Sequence, residues 1–263
     1  MRLLKDQDYA IHCAVFSLRN FWDFHQVSVL LTAIEGVAAP EYYGEGDIVH
    51  SDYDRREIQR WFRENQDPVE GRPSLELRRG TAPRYSISIN VGNGVHPHSV
   101  HLTSNLRHEV GELAKLFELA DAIADDPDVD FGSVNLYRHG TPKAAVLVDG
   151  GTFENLGGYI HNGPGDVWVR TYFGLRLVAL AGNESAFTSS PGQWRRLKSG
   201  VLVLELDPAP WDRTPDELKA AQLAVAPTLK TRTGIFAVSD GNDFGDDVPG
   251  PRWQSPAGWL WPA

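Results

Sequence analysis

Residues Tyr9 to Ser17 read YAIHCAVFS, with Ile11, Cys13 and Val15 at every second position. That period of two places the three on one face of a buried strand. A helix is expected directly after it. Asn20 is a candidate cap, Asp23 lies in the first turn, and Phe21, Phe24, Val27, Leu31 and Ile34 recur at helical spacing up to Gly36. A loop through Pro40, Tyr42, Tyr43 and Gly44 then leads to a shorter helix over Tyr53 to Arg63, with Ile58, Trp61 and Phe62 inward.

The clearest alternation follows. LELRR (Leu75 to Arg79) is separated by GTAP from RYSISINV (Arg84 to Val91), in which Tyr85, Ile87, Ile89 and Val91 alternate with Ser86, Ser88 and Asn90. Polar serines on one side predict a half-exposed antiparallel strand. After the GNG turn, HSVHLT (His98 to Thr103) is the next strand. RHEVGELAKLFELADAIA then carries a helical stripe of Val110, Leu113, Leu116, Phe117, Ala120 and Ile123. Two strands, Ser133 to Arg138 and Ala144 to Asp149, complete the first half.

The second half begins with DVWVRTYFGLRLVALAG, read as two short strands about Gly174. A short helix is expected near Pro191 to Lys198, then the apolar strand VLVLELD. In TPDELKAAQLAVA, Thr214 at the cap, Pro215 at the first helical position and Glu217 three residues after the cap form a capping box. Helices mixed with antiparallel strands predict an α+β fold, a mixed and mainly antiparallel sheet with helices packed on one face. Two subdomains fit this order, 1–149 and a smaller 166–263 packed on the first, joined by the glycine-rich connection 150–165. A single domain fits it as well.

Charge narrows the function. The formal net charge is −10. From Asn20 to Asp54 there are seven acids and no Lys or Arg, and from Glu118 to Asp130 six acids and again no Lys or Arg. Near the end, SDGNDFGDD adds four aspartates. Such a surface argues against nucleic acid as a partner, because phosphates demand a basic face. It suits a basic protein partner. The single Cys13 excludes an internal disulfide and predicts a reducing compartment. The opening MRLLKDQDYAIH has no long apolar stretch, and no run of 18 apolar residues occurs, so neither a signal peptide nor a membrane span is expected and the expected location is cytoplasmic.

Three segments offer chemistry. DGGTFENLG, from Asp149, resembles the aspartate motif of patatin-like lipases. That family also needs a serine in a G-x-S-x-G elbow, and none occurs; GNESAF at Gly182 to Phe187 is the nearest approach. An aspartate without nucleophile and oxyanion donors cannot run acyl transfer, so Asp149 is read as a turn residue. In HPHSVH, His96, His98 and His101 have metal-like proximity, but the odd separation of His98 and His101 puts them on opposite faces of a strand. In DGNDFGDD, counting from Asp240, the twelfth position of a calcium loop is Pro251 rather than Glu. No catalytic residue, no metal site and no cofactor is therefore expected.

An acidic, aromatic-rich α+β chain without a catalytic set is what an inhibitor of a basic toxin requires. The opening strand and helix, then LELRRGTAPRYSISINVGNGVHPHSVHLT, then GDVWVRTYFGLRLVALAG, resemble in order immunity family 52 of the polymorphic-toxin immunity proteins and its type VI relatives. The resemblance implies a protein that neutralises a cognate toxin, a nuclease in the reading adopted, and carries no catalytic residues over. The glycine-rich centre and the Asp-rich tail depart from that pattern. Candidate toxin contacts are Glu41, Tyr42, Tyr43 and Glu45; Asp125, Asp126 and Asp128; and Asp240, Asp243, Asp246 and Asp247 with Trp253. The alternatives are a hydrolase with an unrecognised nucleophile and a non-catalytic regulatory module.

Overall fold

A computed structural model describes residues 9–46, 48–64, 74–92, 97–104, 110–138, 145–146, 156–239, 247–257 and 259. It contains the expected α+β fold, built on one long antiparallel sheet. At its centre is β1 (Tyr9–Ser17), paired with β6 (His98–Ser104) on one side and β7 (Val129–Arg138) on the other. Beyond β6 come β5 (Tyr85–Asn90), β4 (Ser74–Arg79), β2 (Tyr42–Glu45) and the edge strand β3 (Ile48–Asp52). Beyond β7 come β9 (Arg170–Phe173), β11 (Leu202–Glu205) and the opposite edge β10 (Gln193–Arg196), with the short β8 (Ala145–Val146) also on β7. Because β9 pairs with β7, one sheet runs through both halves of the chain.

Alternation along β1 divides the core. Ile11, Cys13 and Val15 are buried on one face, under α1 (Phe24–Ala38) and α3 (Val110–Ala124). These two helices supply the expected apolar stripes: Val27, Leu30, Leu31 and Ile34 from α1; Leu113, Leu116, Phe117 and Ala120 from α3. α2 (Arg55–Glu64) packs beside α1, where Arg55 and Tyr53 both donate to the Glu35 carboxylate, at 2.9 and 2.6 Å. The later segments add a layer on the other face. Tyr159 of α4 (Leu156–Asn162) lies 5.0 Å from the Phe16 ring and 5.2 Å from Phe131. Phe187 of α6 (Ser185–Thr188) and Phe236, which follows α7 (Pro215–Thr233), close around Phe173 at 4.9 and 6.1 Å.

Several boundaries differ from expectation. The first helix starts at Phe24, with Asp23 as the cap accepting from the His25 N–H, while Asn20 bonds the Trp22 N–H instead. The stretch read as a loop around Tyr42 forms the hairpin β2–β3, because its strands are short and lie at the sheet edge, where alternation is weak. The supposed second strand after Gly174 is α5 (Leu175–Leu180); a short apolar run has no period that separates strand from helix. The supposed helix near Pro191 to Lys198 is β10, entered through Gly192 at φ 118°. Within the connection 150–165 lies α4. The capping box of α7 is present as read: Thr214 Oγ1 accepts from the Glu217 N–H at 3.1 Å, and Glu217 accepts from the Thr214 N–H at 2.7 Å. That helix continues through Pro227 to Thr233 and closes on Gly234 in the left-handed region.

Candidate interaction surface

The edge hairpin β2–β3 carries the first group of candidate contacts. Glu41 precedes it, and its carboxylate accepts from Gly80 N at 2.9 Å, Thr81 N at 3.2 Å and the Thr81 hydroxyl, with Arg79 at 3.7 Å. The Thr81 hydroxyl and these amides hold the Glu41 carboxyl below its ordinary range. Glu41 thus clamps the β4–β5 turn rather than offering a free charge. Tyr43 is half-buried against the core, whereas Tyr42 is 40% exposed. Glu45 is exposed and accepts from the Trp61 indole at 3.3 Å. On β3, Asp52 is exposed, directly across from Tyr42, and has no ion pair among the described residues. Tyr42 and Asp52 therefore share one exposed face at the sheet edge, whereas Glu45, three residues along the strand and across from the buried Leu75, lies on the other face, toward α2.

The acids from Glu118 to Asp130 have a different fate. Asp121 accepts from the Tyr172 hydroxyl at 2.8 Å and from Arg195, and pairs with Arg170 at 3.1 Å; Glu205 takes the other nitrogen of Arg170 and shares the Arg195 Nη2 with Asp121. This four-charge network ties α3 to β9, β10 and β11. Asp125 caps the Ser199 N–H at 2.7 Å. Asp126 pairs with Arg19, and Asp128 lies 3.7 Å from the same guanidinium with half its side chain exposed. Asp130 is wholly buried. It receives two bonds from Arg176, both 2.7 Å, and one from the Tyr159 hydroxyl at 2.6 Å. These acids hold the fold together. Their arginine partners stand tens of residues away in sequence, so a count of local charge could not reveal them.

At the C-terminal end, Asp240, Asp243 and Asp246 lie outside the described residues, while Asp247 is exposed on β13 (Asp247–Val248), paired with β12 (Val238–Ser239). Trp253 is half-buried: its indole donates to Ile160 O at 3.2 Å, its ring meets Tyr159 edge-on at 5.1 Å, and the Arg176 guanidinium covers it at 5.0 Å. It anchors the C-terminal segment to α4.

The sheet face opposite α1 and α3 is polar over its β4–β5–β6–β1 part. Register aligns Tyr42, Arg78, Ser86, Thr103 and His12 in one row, and Glu76, Ser88, His101 and Ala14 in the next. The rings of His12 and His101 lie 5.7 Å apart, and His101 Nε2 is 3.1 Å from the Ser99 hydroxyl. Ser99 is buried on a central strand whose amides serve two ladders, which leaves no pair of N–H donors for an oxyanion at that hydroxyl. His98 points the other way, its Nδ1 accepting from Gly92 N at 3.0 Å and Phe21 N at 3.3 Å. Among the described residues no group of three His, Cys, Asp or Glu could hold a metal ion; His96 and Asp149 lie outside them.

Burial, then the charge of His101, holds His12 down at about 3, and burial holds His98 down at about 4. Both remain neutral in the folded chain while the unfolded chain protonates near pH 6.5. Below that value the unfolded state binds more protons, so stability falls as pH drops from about 6.5 toward 4, by up to about 1.4 kcal/mol per pH unit for each group. Thermal unfolding should show Tm falling over this window, with a shallower fall in His12→Gln. An unchanged slope in that variant would mean His12 takes its proton as readily folded as unfolded.

No family model matches the chain, and no curated protein matches it. Among solved structures, the fold is similar to that of the Pseudomonas aeruginosa T6SS protein PA0821, with a TM-score of 0.50 over 82% of this chain and 76% of that chain, at 12% identity. At that identity the likeness is one of fold. No helix among the described residues is long and apolar enough to cross a membrane.

Proposed function

We propose that this chain is an immunity protein, which binds a bacterial protein toxin and neutralises it without chemistry of its own. The fold likeness to a protein named for type VI secretion carries the reading. The order of motifs in the sequence, similar to immunity family 52, supports it. The net charge of −10 fits a basic target, and a nuclease must present a basic face to hold phosphates.

The β2–β3 edge is the contact surface we assign. Tyr42 supplies an exposed aromatic anchor with Asp52 directly across from it, and Glu45 adds a carboxylate at the same edge on the opposite face. An aromatic anchor within a polar rim is the arrangement that concentrates binding energy in interfaces. The carboxylates would occupy positions that substrate phosphates take on the toxin, blocking its active face. Exposed charges are screened over about 8 Å at physiological ionic strength, so association should slow as salt rises. Glu45→Lys with Asp52→Lys should reduce the association rate about tenfold or more. Tyr42→Ala should act on dissociation instead, weakening affinity by roughly thirtyfold. Stopped-flow association and surface-plasmon dissociation with the purified toxin measure both. Rates indifferent to salt and to all three substitutions would remove this edge from the interface.

A further inference from the structure

Beside this edge, at the β4–β5 turn, the surface opens into a cavity of about 390 Å³ whose lining includes Arg78, Gly80, Arg84, Ser86 and Thr103 and no carboxylate. Arg78, Ser86 and Thr103 are cross-strand neighbours in a single row, so one guanidinium and two hydroxyls converge on the same face at strand spacing, about 5 Å apart. Arg84 stands at the end of the turn that precedes β5. Neither Arg78 nor Arg84 has a carboxylate within 4.0 Å among the described residues. The third arginine of the wall, Arg79, is already engaged: it donates to Ala39 O at 2.6 Å and lies 3.7 Å from Glu41. Among the described residues, two arginines of the wall thus remain without a carboxylate partner, in a chain whose net charge is −10.

A planar guanidinium fork fits a tetrahedral oxyanion with two parallel N–H bonds, and hydroxyl donors complete such a site. Two guanidinium groups match the double charge of a phosphate near neutral pH. We propose that this pocket binds a phosphate dianion, free or as a monoester. Arg78 is the cross-strand neighbour of Tyr42, so the pocket borders the proposed contact surface, but phosphate binding is read on the chain alone and either proposal can fail while the other stands.

The test is a titration of the full chain with inorganic phosphate, methyl phosphate and acetate, followed by calorimetry and by 31P line position. Saturable binding of phosphate is expected, with affinity lowered about tenfold in each of Arg78→Gln and Arg84→Gln. Arg56→Gln, an exposed arginine on α2, should leave it unchanged. Equal affinity for methyl phosphate assigns the site to monoesters, and a preference for inorganic phosphate assigns it to the free ion. A response linear in phosphate with no saturation, acetate binding as tightly as phosphate, or three variants that behave alike would each overturn the assignment. Both pocket arginines are exposed, so melting temperatures near that of the parent chain should accompany the loss.

Discussion

Asp130→Ala should be the most damaging single side-chain truncation in this chain. The carboxylate is wholly buried and accepts three hydrogen bonds, two from Arg176 and one from Tyr159. Removing it strands a half-buried guanidinium and a buried phenol together. Breaking a buried pair from one side typically costs about 3–5 kcal/mol. The Arg176 side chain retains some solvent contact, at 22% exposure, so the lower end of that range applies. The consequences extend beyond one contact. Arg176 also donates to Gln254 O and covers Trp253, and Tyr159 stacks on Phe131, so the site joins α4, α5, β7 and the C-terminal segment. Urea unfolding should show a lower midpoint at unchanged slope, the slope times the midpoint shift giving that loss. A loss below about 1 kcal/mol would mean that the three donors find other acceptors.

Gly174→Ala should rival it for a different reason. A Cβ at this position would lie 1.9 Å from the Val129 carbonyl oxygen and 2.8 Å from that of Asp130. Both obstacles are backbone in the central strand β7, so neither can swing aside. The backbone there is extended, at φ −69°, and the constraint is space rather than conformation. Overpacking in a closed interior costs about 1–3 kcal/mol and sometimes more, and a clash with main chain belongs at the upper end. The Gly174 N–H also bonds Asp130 O at 2.9 Å, so moving the chain away would break the junction of β9 and α5 with β7. Denaturant titration of Gly174→Ala against the exposed control Gly111→Ala, where a Cβ meets nothing within 4 Å, separates crowding from helix propensity.

These two sites show where the sequence was legible. Strands such as Tyr85 to Asn90 announce themselves because one side faces polar surroundings, and helices such as α3 and α7 because a stripe or a capping box repeats local physics. The edge hairpin β2–β3 and the segment after Gly174 did not, since runs of four to six residues hold too few periods to separate strand from helix. The acidic surface was less legible still. A count of carboxylates cannot distinguish Asp52, exposed at an edge, from Asp121 and Asp130, which bind arginines 46 or more residues away. Trp253 likewise appears in the sequence as one more aromatic, and only the fold shows it engaged with Arg176 and Tyr159.

The claim that this chain neutralises a toxin is tested most directly by survival. A candidate toxin, sought among the reading frames that neighbour the gene, is expressed from an inducible promoter in a susceptible bacterium, with and without this chain, and viable cells are counted. Full-length chain should restore survival by several orders of magnitude. The Tyr42→Ala, Glu45→Lys, Asp52→Lys variant should restore much less while accumulating to the same level. Equal killing with and without the folded chain would contradict the account.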